Sequence, residues 1–219
     1  MKALIPVVLT VLLAGLHPVL ATAPAAAAEP AGKFDYYVMA LSWQPSWCAS
    51  EGDARGAPTC RDGTGTGFIL HGLWPQRIEG WPEYCRAAGR DATREETGAM
   101  ADIMGSGGLA WHQWKKHGRC SGLSPRDYFE KARTAFEKVK RPSLLREIGR
   151  PVRIDASVVE AAFLDVNAAL TPASTVVTCR GRWIREVRIC LTREHLMPRP
   201  CTGSVARACT KPATLPPPR

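Results

Sequence analysis

Two short segments concentrate most of the reactive side chains: His71-Gly72-Leu73-Trp74-Pro75 and Trp111-His112-Gln113-Trp114-Lys115-Lys116-His117-Gly118. They supply three imidazoles, an ammonium and a carboxamide. Beyond residue 28 the only other histidine is His195. Read as a helix at about 100° per residue, the second segment puts His112, Lys116, Gln113 and His117, in that order, across an arc of roughly 140°. Trp111 and Trp114 fall on the other side, where they are expected to anchor the helix in a core. This set suits a metal-free acid–base reaction on an anionic phosphodiester. An RNA strand carries its own tethered nucleophile, the 2′-hydroxyl, so part of the entropic barrier is met by the substrate. What remains is to take a proton from that hydroxyl and to give one to the departing 5′-oxygen. Imidazole suits both tasks, because its unperturbed pKa of about 6.5 lies near working pH. Lys116, His112 and Gln113 could supply fixed donors for the charge that develops on phosphorus. His71, from another segment, would stand on the far side.

Each residue has a plainer reading. His71, at the end of an apolar strand, could be a hydrogen-bonded core histidine. His112 and His117 could bind zinc, although their spacing lacks the i, i+4 geometry of the helical metal motif. Trp74, Trp111 and Trp114 taken singly are core residues, and Lys115 and Lys116 solvated charges. Their joint occurrence favours a site. The run from Gly63 to Gly67 looks like a phosphate-binding fragment, but no lysine follows, and it reads as a turn.

The chain has 219 residues and a formal charge of +9, with a pI near 9.4. Such a balance favours anionic partners. The start reads as a secretion signal: Lys2 is followed by the apolar run Ala3 to Leu16 and by small-residue cleavage sites between Ala21 and Ala28. That run is shorter than the roughly 20 residues of a membrane span. An uncleaved anchor is the alternative. Cleavage after Ala28 would leave Glu29 to Arg219 as an exported mature protein without a membrane span, either periplasmic or secreted. All eight cysteines follow the signal, an even number that reads as four disulfides in an oxidising compartment. No Cys-x-x-Cys pair is present to suggest a metal cluster, and no metal or other cofactor is expected.

Phe34 to Trp43 and Phe68 to His71 read as strands, with Ile69 and His71 sharing one face. Helices are expected over Arg94–Met104, Trp111–His117, from Ser124-Pro125 through Val139, and over Ala156–Ala169. The Ser124 helix would turn Phe129, Ala132, Phe136 and Val139 inward; the last would bury Val159, Phe163 and Val166. Ser174–Cys179 and Trp183–Leu191 read as strands joined by Arg180-Gly181-Arg182, the second with an alternation partly broken at Arg185. The Pro-rich end, residues 212–219, is expected to be disordered. The order of elements points to an α+β fold, a central antiparallel sheet with helices packed on it.

Phe68-Ile69-Leu70-His71-Gly72-Leu73-Trp74-Pro75 and Trp111 through Cys120 resemble the two active-site motifs of the T2-type ribonucleases. Tyr36 through Pro45 and Ile189-Cys190-Leu191 resemble the family's first strand and its late cysteine-bearing strand. The resemblance implies a ribonuclease domain over residues 29–211, acting as an endonuclease on single-stranded RNA with broad base preference and expected to be monomeric. It makes His117 the general base and His71 the general acid, with the roles reversed when the 2′,3′-cyclic phosphate is hydrolysed. His112 and Lys116 would hold the phosphate, Trp74 would stack on a base and Gln76 would lie near one. It also implies the pairs Cys48–Cys60, Cys85–Cys120, Cys179–Cys209 and Cys190–Cys201. One position departs: Gln113 stands where the family usually has glutamate. A catalytically weakened RNA-binding member of the same fold is therefore the alternative.

Overall fold

The computed structural model describes residues 29–64, 66–86 and 89–219, so the expected signal, residues 1–28, lies outside the described residues. Strand β1 (Tyr36–Trp43) is buried along its whole length, which requires cover on both faces. Tyr37, Met39, Leu41 and Trp43 enter the main core, whereas Tyr36 and Val38 join a smaller apolar cluster with Cys190 and Val205 on the other face. A single turn of helix, α1 (Gln44–Trp47), follows directly. Strand β2 (Phe68–Gln76) pairs antiparallel with β1 and continues five residues past its expected end. It tolerates Pro75 because it is the edge strand, where a missing N–H costs no ladder bond on the open side.

The expected helix over Arg94–Met104 is two helices, α2 (Arg94–Gly98) and α3 (Ala101–Met104), broken after Gly98. Met100 and Met104 are buried all the same. Helix α4 (Gly107–Lys116) starts on Ser106, whose hydroxyl accepts the Leu109 N–H at 3.1 Å. Helix α5 (Pro125–Lys138) starts on Ser124 and buries Phe129, Ala132 and Phe136 as their spacing predicts. Strand β3 (Val152–Ile154) precedes helix α6 (Ala156–Val166), which ends earlier than expected where the Asn167 amide donates back to the Phe163 carbonyl. Val159 and Phe163 are fully buried, Val166 only partly. Strands β4 (Thr175–Arg180) and β5 (Trp183–Thr192) form a hairpin through Gly181, whose φ of 58° suits glycine.

The Pro-rich end is ordered, contrary to expectation. Its residues Ala213–Leu215 form β6, paired with β3, and the Trp43 indole donates to the Pro216 carbonyl at 2.9 Å. Ala213 and Leu215 are buried, so this short segment is held by core contacts that its composition does not reveal. The sheet runs β2-β1-β5-β6-β3, with β4 also on β5. It is antiparallel apart from one parallel bridge, Trp183 to Thr214, and the fold is α+β. Four disulfides join Cys48–Cys60, Cys85–Cys120, Cys179–Cys209 and Cys190–Cys201, the pairs the resemblance implies. Among the described residues no helix is long and apolar enough to cross a membrane.

Candidate active site

His71 and Trp74 are three positions apart, and in a regular strand that spacing would put them on opposite faces. A bulge reverses this. Ala40 pairs with Gly72 and Leu41 with Leu70, so His71 is the extra residue. Side chains 69 and 71 before the bulge, and 74 and 76 after it, therefore share the face away from the main core. The His71 and Trp74 rings consequently meet edge to face with centroids 5.3 Å apart. Strand β5 repeats the device. Thr178 pairs with Glu186 and Cys179 with Ile184, so Arg185 is the extra residue and the break in the alternation is a second bulge on the same face.

Strand β5 brings a carboxylate to His71. Glu186, 4% exposed, accepts from the His71 Nδ1–H at 2.6 Å, while its other oxygen takes Arg188 Nε at 3.0 Å. Burial alone would raise the Glu186 pKa, but the hydrogen bonds and charges of His71 and Arg188 outweigh it and bring the value to about 2. The carboxylate is thus an acceptor only. It fixes the imidazole with Nδ1 engaged and Nε2 left for a substrate.

Helix α4 delivers the second imidazole at its end. The helix stops at Lys116, one residue before the expected end, and His117 is the C-cap with φ −121°. Its N–H still closes onto the Gln113 carbonyl at 2.9 Å. The helix is locked from below. The Trp114 indole donates to Asp91, which also pairs with Arg119, and the Cys85–Cys120 bridge holds the turn that follows. Ala110, Gln113, Trp114 and His117 form the buried side, whereas Trp111 is 38% exposed and does not enter the core. Ala110 and Trp114 centre the core face some 80° away from Trp111. Lys115 Nζ lies 5.4 Å from the exposed Trp111 ring. The chemical arc therefore straddles the boundary, with His112 exposed and Gln113 and His117 inside.

His117 is 7% exposed and its pKa is pushed down to about 3, chiefly by burial and further by the charges of Lys116, His71 and His112. It is a neutral imidazole at ordinary pH. Nδ1 is buried without a hydrogen-bond partner among the described residues, so Nε2 is the nitrogen able to meet the cleft.

Trp74 links the two histidines, its ring centroid 5.2 Å from that of His117. Its indole N–H donates to Gln113 Oε1 at 2.7 Å. Because indole can only donate, this bond fixes which end of the amide is oxygen and turns the Gln113 NH₂ elsewhere. Gly72 makes room for the pair: a Cβ there would collide with Trp74 Nε1 and come within 2.5 Å of Gln113 Oε1.

A cleft of about 670 Å³ collects these groups, with His71, Trp74, His112, Gln113, Lys116 and His117 along one wall. Gln76, 5% exposed, and the half-exposed Trp81 also border it. All seven residues assigned from the sequence thus face one cavity. Lys116 Nζ lies 3.4 Å from Glu83, its partner in this structure. The rest of the border was not anticipated: Arg180, Arg185, Glu186, Arg188 and Arg207. The sequence carried one signal for it, namely charged residues 186 and 188 on a single face of an otherwise apolar strand. The ring nitrogens of His71, His112 and His117 do not converge within 4.8 Å as a ligand set among the described residues. The only such group found there is Cys48, Asp53 and Cys60, whose two sulfurs are already joined as a disulfide.

A sequence model of the Ribonuclease T2 family matches residues 34–201. A ribonuclease of Aeromonas hydrophila is 36% identical over 168 residues, covering 75% of this chain and 74% of that one. Ribonuclease I of Escherichia coli K12 is 28% identical over 226 residues, covering 80% and 82%. The crystal structure of RNase NT in complex with 5′-AMP superposes with a TM-score of 0.61 at 22% identity, covering 84% of this chain and 98% of that one, and shares its fold.

Proposed function

The chain belongs to the ribonuclease T2 family and is an endoribonuclease, and we propose that it cleaves single-stranded RNA by metal-independent transphosphorylation. The observation that carries this reading is a pair of unlike imidazoles on one indole. His71 is tethered to a buried carboxylate, and His117 is buried and neutral.

In the first step His117 takes the proton of the 2′-hydroxyl. The 2′-oxygen bonds to phosphorus, the bond from phosphorus to the 5′-oxygen breaks, and His71 gives its Nε2 proton to that oxygen. The products are a 2′,3′-cyclic phosphate and a 5′-hydroxyl. Hydrolysis then reverses the roles: His71 takes a proton from water as its oxygen bonds to phosphorus. The bond from phosphorus to the 2′-oxygen breaks, His117 returns a proton to that oxygen, and a 3′-phosphate remains. Lys116 and His112, on the open side of α4, hold the non-bridging oxygens, and the Gln113 NH₂ donates beside them. DNA, which lacks the 2′-hydroxyl, is inert.

Trp74 and Gln76 serve the base, and stacking on an indole is indifferent to base identity, which supports a broad preference. Trp74 also spaces the two imidazoles. Gln113 replaces a glutamate in this reading without loss of function, because what Trp74 requires at that position is an acceptor oxygen. Residues 1–28 direct export to the periplasm or the medium, where four disulfides persist. The mature protein, residues 29–219, works as a monomer.

The test is incubation of the oxidised mature protein with single-stranded RNA in excess chelator, with end groups identified by mass. Cyclic phosphate followed by 3′-phosphate is the expected result. RNA bound but uncut across a broad pH range would favour the binding member of the fold, and chelator-sensitive cleavage would favour a zinc enzyme.

A further inference from the structure

His71 lies at a junction. It borders the main cleft and also a second cavity of about 240 Å³, which His117 does not line and which is lined by Ser42, Gln44, Ile69, Arg55 and Arg185 among others. Arg185 borders both cavities. If His117 acts at the 2′-hydroxyl and His71 at the departing 5′-oxygen, the second cavity is the space next to His71, and not to His117, that can take the nucleoside that leaves.

Two arginines of this cavity, Arg55 and Arg185, meet Arg180 of the main cleft over one carboxylate, Glu51. Glu51 takes Arg55 at 3.1 Å, Arg180 at 2.7 Å and Arg185 at 3.5 Å. The bulge at Arg185 is what turns this side chain onto the cleft face, and only 14% of it is exposed. Three positive charges share one negative charge, so the cluster keeps a net surplus of two. Each guanidinium has five N–H donors. Among the described residues Arg55 and Arg180 spend one hydrogen bond each, on Glu51, and Arg185 one, on Ser50. The remaining donors suit an anion with several acceptor oxygens, and planar guanidinium groups match phosphate geometry.

We propose that Arg55, Arg180 and Arg185, gathered on Glu51, form a second phosphate-binding subsite on the leaving-group side of the scissile bond, holding the phosphate that follows the departing nucleoside. The inference rests on the roles given above to His71 and His117. Its consequence is a preference for polynucleotide: the strand is held at the phosphate under attack and at the next one downstream.

The test compares two substrates on the oxidised mature protein. One is a dinucleoside monophosphate ending in a 3′-hydroxyl; the other is the same compound carrying a 3′-terminal phosphate. At low ionic strength the phosphorylated substrate should show a kcat/KM higher by roughly three- to tenfold, the upper scale of a solvent-exposed ion pair. Added salt should close the gap. An Arg55→Ala variant, altered at an exposed side chain outside the main cleft, should lose most of the gap and keep its rate on the 3′-hydroxyl compound. An Arg126→Ala variant, with the same change of net charge on α5, should retain it. Equal kcat/KM for the two substrates in the parent, or a gap that mostly survives in the first variant, overturns the subsite while leaving the ribonuclease reading intact. Cleavage of neither substrate overturns both.

Discussion

His71 sits at a strand bulge with a buried carboxylate on Nδ1, whereas His117 ends a helix with only packing around the same atom. Both rings lie against one indole, yet their surroundings differ in kind. The Glu186 carboxylate orients the His71 ring and leaves Nε2 free for the departing oxygen. Burial among cations favours the neutral ring, as a general base requires. In the proposed mechanism, the division of labour between two identical side chains is therefore set by what surrounds them.

The strongest way to break this comparison is to remove either ring. His71→Ala and His117→Ala should each lower the rate of cyclic phosphate formation by about 10²- to 10⁴-fold, measured by end-group mass on RNA. Full activity in either variant would sink the assignment of roles. Next is Glu186→Gln, which keeps shape and a hydrogen bond but removes the charge. We expect a loss of about tenfold or more in rate, because the ring loses its charged anchor on Nδ1. Circular dichroism would check that the fold survives, and an unchanged rate would reduce Glu186 to a packing role.

Smaller effects sharpen the other half. Since His117 is held near a pKa of about 3, the acid limb of kcat/KM in the free enzyme should lie well below the usual imidazole value of about 6.5. Gln113→Glu would put a carboxylate beside this buried ring. It should shift the acid limb upward in pH with only a modest change in maximal rate. The same depression implies a stability slope. The unfolded chain binds a proton at this histidine more readily than the folded one, so stability is full above about pH 6.5 and falls as pH drops towards 3. The slope is at most ~1.4 kcal/mol per pH unit. Denaturant melts between pH 7 and 4 should show a shallower decline in His117→Asn than in the parent.

Where the sequence succeeded, the signal was local. The period of α5, the Ser124 cap and the arc of chemical groups on α4 follow from covalent spacing and helix geometry, and the structure keeps them. Alternation on β5 was legible as well, together with its interruption at Arg185. The failures share one cause. Trp111 faces outward because the core lies on a different arc of α4 from the one its own aromatics suggested. The Pro-rich end is ordered because β3 and Trp43, remote in sequence, are there to receive it.

The sequence by itself determined the inventory: three imidazoles, a lysine and an amide in two segments, an even cysteine count and the order of helices and strands. Only the tertiary structure decided how those groups are placed against one another. One bulge turns His71 and Trp74 to the same face, a second turns Arg185 towards the cleft, and β5 sets Glu186 under His71 across 115 residues of chain. Bulges and cross-strand partners depend on register between distant segments. Register is fixed by the packing of the whole sheet, and no local pattern of residues encodes it.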